Sequence, residues 1–263
     1  MKRLSRKALM CGILIGCGVL FYSSAPAVCA EAPADWGTVK GQIVFGGDKI
    51  PERKTMDVTM DKAHCLEKGP LLSEEWIINP KNRGIRWTFV WLGRDDDPKA
   101  KIPVHPKLNG IGPKQVEIDQ PCCQFVPHAL AIRQGQELVA KNSAPVAHNV
   151  NWTGAAKNPG GNQILPAGKS YTIANLQADR FPVKIACNIH PWMTGWVRVF
   201  DHPYFAVTDA DGNFEIKDAP AGKCRLYVWH ETGYRGGSKG RDGEVITINK
   251  GGVTDLGKLE FKP

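Results

Sequence analysis

The chain is interrupted by glycine and proline so often that long helices have no room to form. Its 263 residues include 28 glycines and 19 prolines, and both residues disfavour helix interiors. Between them lie short runs that alternate apolar and polar residues, such as Thr38-Val39-Lys40-Gly41-Gln42-Ile43-Val44-Phe45. A period of two is the mark of a half-buried strand. No long segment keeps a 3.6-residue apolar period. The expected class is all-β, a sandwich or barrel with little helix.

The first thirty residues read as an export signal. Lys2, Arg3, Arg6 and Lys7 precede an apolar run from Ala8 to Tyr22, and Val28-Cys29-Ala30 offers a cleavage site before Glu31. Leu14-Ile15-Gly16-Cys17 also resembles a lipoprotein cleavage box, which would leave Cys17 acylated. An uncleaved anchor is the third reading, although the run is short for a bilayer span. Cleavage after Ala30 removes four positive charges, so the formal +8 becomes +4. The remaining Lys and Arg are scattered, which excludes nucleic-acid binding through a basic stripe. An exported, periplasmic chain meets an oxidising environment where disulfides persist. Five cysteines remain after cleavage: Cys65, Cys122, Cys123, Cys187 and Cys224. An odd number points to one thiol with another task.

Three stretches follow the signal at 1–30. Residues 31–113 look strand-rich and include the apolar run Trp87-Thr88-Phe89-Val90-Trp91-Leu92. Residues 114–201 carry the chemistry, and 202–263 form a second strand-rich piece. In the last, Thr208-Asp209-Ala210-Asp211-Gly212-Asn213-Phe214-Glu215-Ile216 reads as strand, tight turn, strand. With Pro220-Ala221-Gly222-Lys223-Cys224-Arg225-Leu226-Tyr227-Val228, it resembles the carboxypeptidase-regulatory-like (transthyretin-like) β-sandwich family. The run from Gly37 to Phe45 looks like the first strand of such a sandwich. The resemblance implies one sandwich built from both flanks with the middle stretch inserted; two independent flanking units are the alternative.

The middle stretch contains Cys187-Asn188-Ile189-His190-Pro191-Trp192-Met193, a C-x2-H-x2-M loop. A thiolate, two imidazoles and a weak axial thioether make a trigonal copper site with a long fourth bond. The loop supplies three of these, and His148, 39 residues before Cys187, supplies the fourth. Taken singly, each residue has a commoner role: a loop histidine, a packing methionine, half of a disulfide. Together and in this order they favour copper, with zinc as an adventitious competitor.

Phe125-Val126-Pro127-His128, Gly135-Gln136-Glu137-Leu138-Val139 and Asn142 leading to His148-Asn149-Val150 precede that loop. This progression resembles the plastocyanin- and amicyanin-type cupredoxins, with the short loop most similar to that of amicyanin. The resemblance covers about a third of the chain and implies a Greek-key β-sandwich. It implies one mononuclear type 1 copper held by His148, Cys187, His190 and Met193. It also implies that Asn149 holds the two ligand loops together beside the thiolate. His190 would lie near the surface as the electron exit, with Pro191 and Trp192 forming a docking patch. Trp192 departs from the smaller residue usual at its position. From the resemblance to exported relatives comes a Cys65–Cys123 disulfide. Cys224 shares strand parity with Leu226 and Val228 and reads as a buried thiol. A second metal site from Cys123 and His128 is disfavoured because their strand parity is opposite. His64, His105, His202 and His230 have no ligand spacing with one another.

Enzyme readings find little support. No nucleophile motif, paired carboxylates or phosphate loop stand out, and Ala186-Cys187-Asn188 lacks the His-Cys-His step that wires a second copper in multicopper oxidases. The expectation is a non-enzymatic electron-transfer protein with a redox partner such as a c-type cytochrome or a dehydrogenase. Copper storage or delivery, and a structural surface protein, are the alternative classes.

Overall fold

A computed structural model describes residues 35–155 and 157–262. The export signal and its three alternative fates lie outside the described residues. The opening segment contributes β1 (Trp36–Phe45), the four-residue helix α1 (Lys62–Cys65) and β2 (Phe89–Arg94). The middle contributes β3 (Gln115–Ile118), β4 (Ala129–Arg133), β5 (Glu137–Lys141) and β6 (His148–Thr153). It continues with β7 (Gly161–Leu165), β8 (Ser170–Ile173), β9 (Val183–Ala186) and β10 (Thr194–Phe200). The last segment contributes β11 (Phe205–Val207), β12 (Asn213–Pro220) and β13 (Gly222–His230). It ends with β14 (Gly233–Tyr234), β15 (Glu244–Ile248) and β16 (Val253–Phe261). The chain is all-β.

Strands of the first and last segments share sheets. β1 lies between β12 and β16, antiparallel to the first and parallel to the second. β2 lies between β11 and β13, and β13 also pairs with β14 and β15. Val39, Ile43, Val90, Leu92, Phe214, Leu226 and Phe261 fill the core between them. Cys224 is a free, buried thiol in that core, its pKa pushed up to about 12 by burial.

The turn before β12 shows why the sequence signal there is local. Asp209 Oδ1 accepts from the backbone N–H groups of Asp211 and Asn213 at 2.9 and 2.8 Å. Gly212 has φ 78°, and a Cβ there would stand 2.3 Å from the Ile43 carbonyl oxygen. Only glycine fits both demands.

The middle segment forms a separate two-sheet sandwich, β4-β10-β9-β6-β7 against β3-β5-β8. Its core includes Ile118, Phe125, Leu138, Val150, Ile185 and Val197. The apolar run of β2 joins the two sandwiches. Val90 and Leu92 face the first core, whereas Phe89 and Trp91 face a third, aromatic cluster with Ala129, Phe200 and Trp229. A strand buried on both faces has no polar alternation to show. Arg198 is buried there with its guanidinium 3.9 Å from the Trp91 ring, the stacking an Arg fork favours.

The opening segment is less strand-rich than its sequence suggests. Between β1 and β2 it holds α1, isolated bridges and irregular chain. Residues 54–73 form a closed loop: Met56 N–H donates to Leu71 O and Ser73 N–H to Lys54 O, each at 2.8 Å. Val58, Cys65, Leu66 and Leu71 of this loop pack on the core of the middle sandwich. Residues on either side of it, Ile50 and Trp76, pack on the other core. The polar, proline-containing sequence of the loop suits such a cap better than a ladder.

Candidate metal centre

β6 and β9 are antiparallel partners, with Asn151 opposite Ala186. The start of β6 therefore overhangs the end of β9, which places His148 and Asn149 beside the loop from Cys187 to Met193. That loop is closed on itself. Met193 N–H donates to His190 O at 2.9 Å, and Cys187 N–H donates to Met193 O at 3.2 Å. His148, Cys187, His190 and Met193 are all buried, none more than 2% exposed.

The sulfur of Cys187 sits among donors. The backbone N–H groups of Asn149 and His190 point at Sγ, at 3.5 and 3.4 Å. Oriented N–H groups stabilise negative charge on sulfur, and the thiolate is the form that binds metal. Asn149 ties the two ligand segments together. Its Oδ1 accepts from the N–H groups of Asn188 and Ile189 at 2.7 and 3.2 Å and lies 3.2 Å from Sγ. Its Nδ2 donates to Asn162 Oδ1 at 2.7 Å.

The histidines complete the cluster. The rings of His148 and His190 lie 4.8 Å apart and nearly perpendicular, and His190 Nδ1 is 3.9 Å from Sγ. Neither nitrogen of the fully buried His148 has a hydrogen-bond partner. Burial, helped by the charges of His190 and His64, pushes its pKa down to about 4. The ring is neutral and keeps a free lone pair. A buried polar group left unpaired costs about 1–3 kcal/mol, so a neutral imidazole without partners is poised for a ligand the chain itself does not supply. The donor set of two imidazoles, one thiol and one thioether fits copper.

His190 differs from the surface imidazole that the resemblance implies. It is fully buried, and its Nε2 lies 2.9 Å from Asp61 Oδ2. Asp61 belongs to the cap of residues 54–73. Its backbone is left-handed, φ 46° and ψ 37°, a conformation Asp tolerates. It stands at the N-cap of α1 without bonding that helix through its side chain, so its carboxylate is free for His190. Trp192 packs edge-on to His190 at 5.1 Å and is half-buried, while Pro191 is exposed. Sequence reasoning missed Asp61. The only hint was Cys65, four residues later, which would place the segment near the middle stretch if joined to Cys123.

Cys65 and Cys123 are joined in a disulfide with Cα atoms 5.4 Å apart. Their sulfurs and a ring nitrogen of His190 lie within 4.8 Å of one another. With the sulfurs bonded to each other, neither is a thiolate, so this trio is not a ligand set as it stands. Cys122 is a free, half-buried thiol whose pKa burial raises. His128 is committed elsewhere: its Nε2 lies 2.7 Å from Glu231 Oε1 and its Nδ1 3.6 Å from Glu74 Oε2. A metal site made of Cys123 and His128 is thus ruled out in this state. Among the described residues, no helix is long and apolar enough to cross a membrane.

No protein-family model matches the chain, and no curated protein matches it. Solved structures do. A purple cupredoxin from Nitrosopumilus maritimus is 22% identical over 32% of this chain and 98% of its own, with a TM-score of 0.28. An oxidised amicyanin mutant is 19% identical over 33% of this chain and 83% of its own, with a TM-score of 0.30. A copper-containing nitrite reductase from Thermus scotoductus is 20% identical over 38% of this chain but only 28% of its own, with a TM-score of 0.31. These are what about a third of the chain is similar to.

Proposed function

We propose that this chain is an exported blue-copper protein that transfers single electrons through one mononuclear site held by His148, Cys187, His190 and Met193. The observation that carries the reading is His148: buried, neutral and unpartnered at both nitrogens, beside a thiol that receives two backbone N–H groups. When bound, copper supplies a reversible one-electron couple. The chain's residues keep the site buried and fixed: Asn149 locks β6 to the ligand loop, and the loop's own hydrogen bonds hold Met193, which is buried, between His190 and Cys187. Four protein ligands in a closed site leave no open position for a substrate, which favours electron transfer over catalysis. The flanking strands serve as a transthyretin-like scaffold. The partner is a redox protein such as a c-type cytochrome or a dehydrogenase, docking at the exposed Pro191 and the half-buried Trp192.

The test is optical and EPR spectroscopy of the protein loaded with one equivalent of Cu(II), beside Cys187→Ser. The expected result is an intense thiolate-to-copper band with narrow hyperfine splitting, both absent from the variant. A folded, loaded protein without that band overturns the assignment and favours copper storage or a purely structural role.

A further inference from the structure

We infer that Asp61 is a positioning residue for the copper site, holding His190 in place from a cap that the Cys65–Cys123 disulfide fixes over it. This rests on the copper reading above. The carboxylate oxygen 2.9 Å from Nε2 accepts the proton of that nitrogen. The tautomer is thereby set, and the Nδ1 lone pair is the one left on the side of Cys187, 3.9 Å from Sγ.

Three features make the contact a built one. The neck of the cap is closed by the backbone bonds between Met56 and Leu71 and between Ser73 and Lys54. Its middle is anchored by Val58, Leu66 and Leu71 in the core of the copper sandwich and by the disulfide, whose sulfurs reach within 4.8 Å of a His190 nitrogen. Finally, the His64 and Cys65 N–H groups bond the Asp61 backbone carbonyl at 3.0 and 2.9 Å. The backbone of Asp61 thus starts α1 while its side chain is spent on His190. Asp61 is 38% exposed, whereas the His190 side chain it contacts is fully buried.

A carboxylate behind a ligating imidazole raises the ligand's basicity, and losing such a partner typically weakens metal binding about 10–100-fold. The effect falls more heavily on Cu(II), the more highly charged ion. Asp61→Asn, which keeps the shape and removes the charge, should therefore lower Cu(II) affinity about 10–100-fold. With Cu(I) affinity unchanged, that range corresponds to a rise in reduction potential of about 59–118 mV at 59 mV per tenfold for one electron. Asp61→Ala should shift the potential the same way and speed electron exchange with a small hexacyanoferrate probe, because the imidazole edge is uncovered.

The control is Glu67→Gln, an equal charge change on the same cap at a side chain 69% exposed and facing His64. It should move the potential far less than Asp61→Asn. Equal shifts in the two variants would mean a general field effect and overturn the positioning role. A second readout needs no copper. In nitrogen-15 NMR of the metal-free protein, the His190 Nε2 proton should exchange slowly with water, and quickly in Asp61→Ala. Fast exchange in the unmodified protein overturns the inference. Slow exchange without a blue band in loaded protein would instead sink the copper reading and leave the Asp61 contact standing.

Discussion

Two buried histidines in the middle sandwich face opposite situations. His148 is neutral, lies with its ring 4.8 Å from that of His190, and has no hydrogen bond at either nitrogen. His128 is equally buried, yet Glu231 holds its Nε2 and Glu74 faces its Nδ1. Burial alone would push its pKa down, but the bond to Glu231 and the two carboxylate charges outweigh burial and hold it above the ordinary value. Burial is common to both, so burial does not distinguish them. What does is that His148 lacks a partner at both nitrogens, whereas His128 is held at Nε2 by Glu231.

Exchanging the roles gives the largest effect. His148→Ala should abolish the thiolate-to-copper band and narrow hyperfine splitting, while His128→Ala should keep both. Copper present at one hundred times its dissociation constant should raise the unfolding free energy by about 2.7 kcal/mol in the unmodified protein. His148→Ala should lose most of that increment, read as the difference between metal-free and loaded denaturation curves. A blue band surviving in His148→Ala would break the comparison. For the metal-free protein the order reverses. His128→Ala leaves two half-buried carboxylates without their cation and should cost about 3 kcal/mol. His148→Ala should cost less, because it removes no satisfied hydrogen bond.

What was legible in the sequence differs between these two sites for a physical reason. The four proposed ligands lie in one short loop and at one strand start, so spacing suggested His148, Cys187, His190 and Met193. The all-β class was legible from alternation and from turn residues such as Asp209, which bonds N–H groups two and four residues on; the contact of Gly212 with Ile43 is long-range and was not. The Glu74–His128–Glu231 cluster joins three distant segments, and 103 residues separate His128 from Glu231; no local pattern encodes it. Asp61 was hidden for the same reason, 129 residues from His190. The run from Trp87 to Leu92 showed burial but not that its two faces serve different cores. The cap lay inside a stretch read as strand-rich, because a closed irregular loop has no period to betray it.

The pH dependence sharpens the contrast. His128, raised above its ordinary 6.5, contributes stability that is fully present below pH 6.5 and is lost as pH rises through its folded pKa. Glu231 is lowered from 4.5: burial opposes this, but the bonds from His128 and Trp196 prevail. Its contribution is present above pH 4.5 and lost as pH falls through the folded value. Glu74 is raised from 4.5 by burial, against the nearby charges of His128, Arg53 and Arg86. It therefore weakens the fold as it ionises above pH 4.5. Thermal unfolding of the metal-free protein and of His128→Gln should differ most near and below pH 6.5 and converge in alkaline solution. A constant difference across that range would mean that His128 is not charged in the folded state.

The smallest effect isolates the support behind His128. Trp196 Nε1 donates to Glu231 Oε2 at 3.1 Å, and its ring meets Trp229 edge-on at 5.2 Å. Trp196→Phe keeps an aromatic ring in that cluster but removes the donor. A hydrogen bond to a charged acceptor is worth about 1.5–3 kcal/mol, and Glu231 keeps its stronger partner, so the loss should sit near the lower end, about 1.5 kcal/mol. The variant should also raise the acid limit of stability, because Glu231 then protonates at higher pH. The copper spectrum should not move, since the bonds of Trp196 go to Glu231 and to the His128 carbonyl rather than to the proposed ligands. A spectral change in Trp196→Phe would show that the two histidine sites are coupled through β10, and the comparison would then describe one network with two ends.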